Sequence, residues 1–247
     1  MTPRLVALYR RAQDLILPER AIVRRFIATH LADRTMPRLP CLDIGAGPDP
    51  YGAALSQALG PDTPIITADI GPGDRVQAMA DVQFLPFANR TFTAVIASHL
   101  LQHVEDPRAA LAEIARVLAP GGVVLVIHPF VTLQGRHRDL WRWTSGGMAL
   151  EARRAGLTPI AQQSVGGPLY AVADLLASLP GRLLTAHSRG WRSGRGPVES
   201  ARLALAFALA APFHILARVG GAIDRALWPD APFYVGGVTL ARKDGHG

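Results

Sequence analysis

Residues 42–47, Leu-Asp-Ile-Gly-Ala-Gly, bring one carboxylate and two glycines to the point where an apolar strand gives way to a helix. Glycines there let the backbone turn tightly and approach a ligand with no Cβ in the way. The pattern is not that of a dinucleotide loop, because Pro50 stands where the third glycine of G-x-G-x-x-G would be. Asp43, just before the turn, would repel a pyrophosphate and suits a ligand that carries positive charge. Asp69 ends the next apolar run. An acid there can accept from both hydroxyls of a ribose, or cap a helix. Asp81 lies between Ala80 and Val82. A carboxylate among apolar neighbours needs a partner, which an adenine amino group or a helix N-terminus supplies. Leu85-Pro86-Phe87 follows as a rigid apolar loop suited to walling a purine.

Four histidines could move a proton near neutrality: His99, His103, His128 and His137. Each also has a bland reading as a packing or internally hydrogen-bonded residue, His103 above all. His128 follows a strand, at the edge where open sheets bind ligands. His137, Asp139 and Arg142 lie in a polar, aromatic segment that ends at Trp143-Thr144. They could contact a polar or anionic acceptor. His128, His137 and Asp139 have the types of a two-histidine, one-carboxylate metal site. An Asp139–Arg142 pair fixing the loop is the simpler reading, and no metal is expected.

The elements that must position these residues follow from periodicity. Strands are expected over 41–45, 64–70, 91–98 and 123–130. Helices are expected from 50 to 59, over 107–118 and over 144–156. Asp106-Pro107 and Thr144 supply helix starts, and Pro120-Gly121-Gly122 and Gly156 supply stops. This alternation implies βαβ units and an α/β fold, a doubly wound, mostly parallel sheet with helices on both faces. Residues 3–33 read as helix divided at Pro18, so 1–38 form an N-terminal helical segment.

Later the alternation breaks. Strand candidates at 158–165 and 233–242 are separated by a helix near 169–179, a Gly/Arg-rich stretch over 181–197, and an apolar helix over 199–227. The organisation is therefore a sheet domain over 39–165 and 232–243 with a helical insertion over 166–231. The 203–217 run carries no formal charge but is shorter than the roughly 20 residues of a membrane span. Three readings stay open for 199–227: a core or homodimer helix, a peripheral membrane contact, or the wall of a pocket for a lipid acceptor.

Composition narrows the classes. Hydrophobic residues make up 49% of the 247 and charged residues 18%, enough to bury a full core. A single cysteine, Cys41, excludes a disulfide framework and a thiolate zinc site. The first twenty residues hold no apolar run of signal-peptide length, so the expected location is cytoplasmic, with membrane association if the apolar helix lies on lipid. Formal charge is +7, and Lys243 is the only lysine. That balance admits an anionic partner, but no zinc finger or RNA-type aromatic motif appears, so no nucleic acid is expected.

The ordered set is specific. D-x-G-x-G at 43–47, a strand-end acid at 69, A-D-x-x-x-L-P-F at 80–87, F-x-x-V-x-x-S-x-x-L-x-H-V at 92–104 and L-x-P-G-G at 118–122 together resemble class I S-adenosylmethionine-dependent methyltransferases. The resemblance runs from about Leu39 to Phe130. It implies a Rossmann-like seven-stranded sheet and S-adenosyl-L-methionine as cofactor. Asp43, Gly45, Ala46 and Gly47 would flank its methionine part. Asp69 and Ile70 would hold the ribose, and Asp81 and Val82 the adenine, with Ser98 and His99 facing the cofactor. The family often has Glu where this chain has Gln102. The implied reaction is in-line methyl transfer to a small-molecule, saccharide- or lipid-type acceptor, with His128, His137 and His103 as candidate bases. Aligning the reactants can supply roughly 7–11 kcal/mol of such a barrier. The competing readings are a binding or scaffold protein that keeps the fold without turnover, and a nicotinamide oxidoreductase, which Pro50 and Asp43 disfavour.

Overall fold

A computed structural model describes residues 18–32, 39–46, 51–60, 62–73, 75–134, 138–185, 197–228 and 234–245. The chain divides into two compact units. One holds Ile22–Phe130, Gln134–Val165 and Gly236–Gly247, and is built on the sheet. The other centres on Gly166–Val235 and is helical.

The sheet unit takes up α1 (Pro18–Leu31) from Ile22 onward; the proline of this helix stands at its first position, where a missing N–H costs nothing. Then come β1 (Cys41–Ile44), α2 (Gly52–Leu59), β2 (Ile65–Asp69), β3 (Ala78–Met79), β4 (Phe92–Ser98), α3 (Pro107–Val117), β5 (Leu118–Pro129), α4 (Ser145–Arg154), β6 (Leu157–Val165) and finally β7 (Gly236–Lys243). The strand order is β3-β2-β1-β4-β5-β7-β6. β1 to β5 run parallel to their neighbours, and β7 enters antiparallel between β5 and β6. The seven-stranded, doubly wound α/β sheet expected from the sequence is therefore present.

Side-chain alternation splits the core into two layers. Leu42, Val95, Val124 and Val126 pack with Leu111 and Ile114 of α3 and Met148 of α4. Cys41, Ile96, Leu125 and Ile127 pack with Val23, Phe26 and Ile27 of α1 and Leu55 of α2. Burial pushes the Cys41 thiol up to about 12, so it is an inert core group and no nucleophile.

Local signals set most boundaries. Asp106 caps α3 by accepting from the Arg108 and Ala109 backbones, and Thr144 caps α4 by accepting from Gly147. Gly156 follows α4 with φ of 76°. One expectation fails: Pro120-Gly121-Gly122 does not separate helix from strand, because β5 already starts at Leu118, paired with Phe92. Gly122 makes that passage feasible. A Cβ there would lie 2.8 Å from the Thr93 carbonyl oxygen. The end of α3 is closed from far along the chain, since the Lys243 ammonium donates to the Ala115 and Leu118 carbonyls at 2.8 Å each.

The helical unit is a hairpin of α5 (Pro168–Thr185) and α6 (Pro197–Leu227), with Pro180 and Pro212 inside the helices. α5 runs past the limits the sequence suggested, while α6 ends where expected and starts two residues earlier. Asp224 of α6 is buried and accepts from the Leu169 and Tyr170 backbones, capping the start of α5 from across the hairpin. Burial, then the nearby Glu19 charge, pushes the Asp174 carboxyl of α5 up to about 6. Its unfolded value is near 3.8, so below that pH both states hold the proton and nothing is lost. From there through about 6 the unfolded chain ionises first and stability falls. Asp174→Asn removes that loss. Thermal melts of the two proteins should coincide near pH 4 and separate above pH 6 in favour of the variant, by at most about 3 kcal/mol. A pH-independent difference would contradict this.

Candidate active site

The pairing register puts the sequence-selected residues on one line. Ile44 pairs with Ala68 on one side and Ala97 on the other. One residue further on, Asp69, Gly45 and Ser98 therefore stand side by side at the carboxyl edge of β2, β1 and β4. By the same alternation Asp43, Asp69 and Ser98 lie on the face covered by α1 and α2. Asp43 is buried. Gly45 adopts φ of 73° and donates to the Ala68 carbonyl at 2.8 Å, and Ala46 donates to the same oxygen at 3.2 Å. Leu100 closes over the turn: a Cβ on Gly45 would meet its Cδ1 at 2.9 Å. Gly47 lies outside the described residues.

Asp69 accepts from the Gly71 backbone at 3.2 Å, and Ile70 beside it is 72% exposed. β3 pairs with the end of β2, so the chain returns to the same edge two residues before Asp81. Asp81 accepts from the Gln83 backbone at 2.9 Å and from its side-chain amide at 3.2 Å. Gln83 in turn accepts from the Asp106 backbone, which ties the Asp81 turn to the start of α3. Val82 is buried beneath it. His99 follows Ser98 with φ of 48° while donating to the Ile127 carbonyl at 2.9 Å. A non-glycine residue held there costs on the order of 1 kcal/mol and is a recurrent mark of working sites.

Two supports escaped the sequence reading. Glu113 accepts from the Leu85 backbone, and Arg116 donates to the Leu85 and Phe87 carbonyls and pairs with Glu113. Together they brace the Leu-Pro-Phe loop from α3. The Arg116 guanidinium holds the Glu113 carboxyl below its ordinary range. The only sequence trace of this is an acid and an arginine three residues apart on one helix face.

The second support is the 138–144 segment, which is tied to the turn after β4. His103 Nδ1 bonds the Arg138 carbonyl, Leu140 donates to Gln102 at 2.7 Å, and the Trp141 indole donates to Val104 at 2.9 Å. Arg138 also pairs with Glu105. His103 thus holds this segment in place. Asp139 and Arg142 form an internal ion pair, the Asp139 side chain being nearly buried. Leu140 and Trp141 remain exposed.

The candidate bases do not converge. His137 lies outside the described residues. His128 shares the face of Val124 and Val126, opposite to that of Asp69 and Ser98, and is 0% exposed. A Cβ on Gly237 would meet its ring at 2.7 Å and the Ser145 hydroxyl at 3.3 Å, so the imidazole is locked between β7 and α4. His128 does not follow the strand as expected: it is paired with Gly237 inside β5, and its side chain points into the core. Among the described residues no cluster of three or more metal-ligating side chains occurs.

This donor set fits an adenosyl sulfonium: a buried carboxylate near the expected positive charge, a strand-end acid for vicinal hydroxyls, and a third acid beside an apolar loop braced in place. Residues 42–126, which span the whole edge, match the family model of a methyltransferase domain. The chain carries a class I S-adenosylmethionine-dependent methyltransferase domain. Relatives of this methyltransferase domain include a ubiquinone/menaquinone biosynthesis C-methyltransferase of Teredinibacter turnerae, 33% identical over 102 residues, 35% of this chain and 41% of that protein. An uncharacterised methyltransferase of Mycolicibacterium paratuberculosis is 33% identical over 158 residues, 55% of this chain and 58% of that protein. The chain thus spans well under two thirds of these relatives. Among solved structures, geranyl diphosphate C-methyltransferase of Streptomyces coelicolor superposes with a TM-score of 0.53 at 14% identity, covering 90% of this chain and 76% of that one. The [4+2]-cyclase SpnF gives 0.52 at 18%, covering 91% and 80%. These two establish shared fold alone, and their different reactions show how much chemistry the methyltransferase fold admits.

Proposed function

We propose that this protein transfers a methyl group from S-adenosylmethionine to a small apolar acceptor, of ring or lipid type. The observation that carries the reading is the alignment of Asp69, Gly45 and Ser98 at one edge, with Asp81 returned to that edge by β3. The sulfonium, when bound, supplies an activated methyl and a neutral leaving group. The chain's part is positioning. Asp69 holds the ribose hydroxyls, Asp81 and the braced 85–87 loop hold the adenine, and Asp43 balances the positive charge. Ile70, exposed beside Asp69, completes the rim. An oxygen acid acceptor must also lose a proton. Of the candidate histidines among the described residues we assign this role to His99, beside Ser98, since His128 is buried and His103 is engaged with Arg138.

An apolar acceptor is favoured over a saccharide. Asp139 and Arg142 spend their charges on each other, while Leu140 and Trp141 present apolar surface from the segment tied to the β4 turn. The quinone relatives point the same way. Incubation with methyl-tritiated S-adenosylmethionine and panels of quinones, isoprenoids and sugar nucleotides tests this. Label should appear in an apolar product, together with S-adenosylhomocysteine. Label confined to sugar nucleotides would overturn the acceptor assignment. Tight cofactor binding without transfer to any panel would favour a scaffold role.

A further inference from the structure

The helical hairpin is built in an unusual sense. Apart from Tyr170, its buried apolar side chains are small: Ala171, Ala173 and Ala177 of α5 and Ala206, Ala210 and Ala217 of α6. Gly220 and Gly221 extend this seam, for a Cβ on Gly220 would meet Leu169 at 2.9 Å and one on Gly221 would meet Tyr170 at 3.1 Å. The large apolar side chains face outward instead. Leu169, Val172, Leu176, Leu179 and Leu183 follow one another at alternating steps of three and four residues, which places them in one stripe along α5. All five are exposed, Leu183 at 76%. Leu209, Leu216, Val219 and Ile223 form a matching exposed stripe on α6.

A hairpin made for water buries leucine and shows polar residues. Small residues in the seam with leucines outside is the arrangement of helices whose surroundings are themselves apolar. Charge says which apolar surroundings. Among the described side chains of α6 the charged ones are the exposed Arg218 and Arg225 and the buried cap Asp224. Residues 186–196, between the helices in sequence, hold three arginines and no acid. α5 carries one acid with a described side chain, the partly buried Asp174. Among the described residues no helix is long and apolar enough to cross a membrane.

From this we infer that the outward face of α5 and α6 docks on the surface of an anionic lipid bilayer, lying in the interface without spanning it. Apolar side chains enter the headgroup boundary and arginines meet lipid phosphates. The inference is independent of the methyl-transfer reading and does not need the cofactor.

Sedimentation of the full chain with vesicles, in the absence of S-adenosylmethionine, tests it. Vesicles containing phosphatidylglycerol should carry the protein down, pure phosphatidylcholine should do so at least tenfold less well, and salt should release it. Arg218→Gln with Arg225→Gln should weaken binding by about fivefold per arginine at low salt. Leu176→Gln with Ile223→Gln should weaken it by about tenfold or more at any salt. Circular dichroism and cofactor calorimetry on the same variants verify that they are folded. Equal binding to both vesicle types, or binding indifferent to the leucine changes, would overturn the inference. So would failure to bind vesicles with a concentration-dependent dimer that Leu176→Gln disrupts, which would assign the face to a second copy of the chain.

Discussion

Asp69→Ala should bind S-adenosylmethionine about 30- to 1000-fold more weakly than the parent while melting at nearly the same temperature. The carboxylate stands at the end of β2, where it accepts one backbone bond from Gly71 and has further lone pairs for a ligand. Losing a charged acceptor of two hydroxyls costs about 2–4 kcal/mol, whereas the fold loses one strand-end bond at a partly exposed site. Asp69→Asn keeps one acceptor oxygen and should fall between. Calorimetry with S-adenosylmethionine and with S-adenosylhomocysteine separates two roles. The ribose is common to both ligands, so the loss should be the same for each. In the proposed role Asp43 answers the sulfonium charge, so Asp43→Asn should weaken S-adenosylmethionine more than the uncharged product. Unchanged affinity in a folded Asp69→Ala protein would remove the ribose assignment, and with it the reading of the whole edge.

That edge was legible because Asp69 ends an apolar run, Asp81 follows one and Asp43 interrupts one just before a glycine turn, and runs of that kind are what sequence periodicity detects. β3 was not, since two residues, Ala78–Met79, carry no period. It entered as a count implied by family resemblance. Yet β3 is what returns Asp81 to that edge, so the proposed adenine ligand was readable before the strand that positions it. His128 illustrates a different limit. It lies within β5 and not after it, and its face could have been read from alternation with Val124 and Val126. What periodicity could not show is Gly237 of β7 pressed against its ring. The supports of the site are long-range in the same way. Glu113 reaching Leu85, Gln83 reaching Asp106 and Lys243 reaching Leu118 are contacts between distant segments. The hairpin reverses the usual inference altogether. An apolar run over 203–217 suggests burial, but the structure gives the seam to alanine and glycine and leaves leucines outside.

Asp224→Ala should loosen that hairpin while sparing the sheet. The carboxylate is 2% exposed and accepts from the Leu169 and Tyr170 backbones at 3.2 and 2.9 Å, two of the N–H groups that no helix can satisfy internally at its start. Removing it strands both donors inside and deletes a negative charge at a helix N-terminus, together worth about 3–5 kcal/mol. Asp224→Asn keeps one acceptor and should cost about half as much. The junction is also closed sterically. A Cβ on Gly167 would sit 2.6 Å from Cβ and Cγ of Asp224, so Gly167→Ala must push the cap away from α5. Both changes break the same contact, and the double variant should therefore cost clearly less than the sum of the singles. Hydrogen exchange reads the outcome by segment. Amides of α5 and α6 should lose protection in each variant, while those of β4 and β5 keep theirs, because the latter belong to a separate core. Uniform loss across both units would mean that the hairpin and the sheet unfold as one, and the Asp224 cap would then be a support of the active-site edge as well.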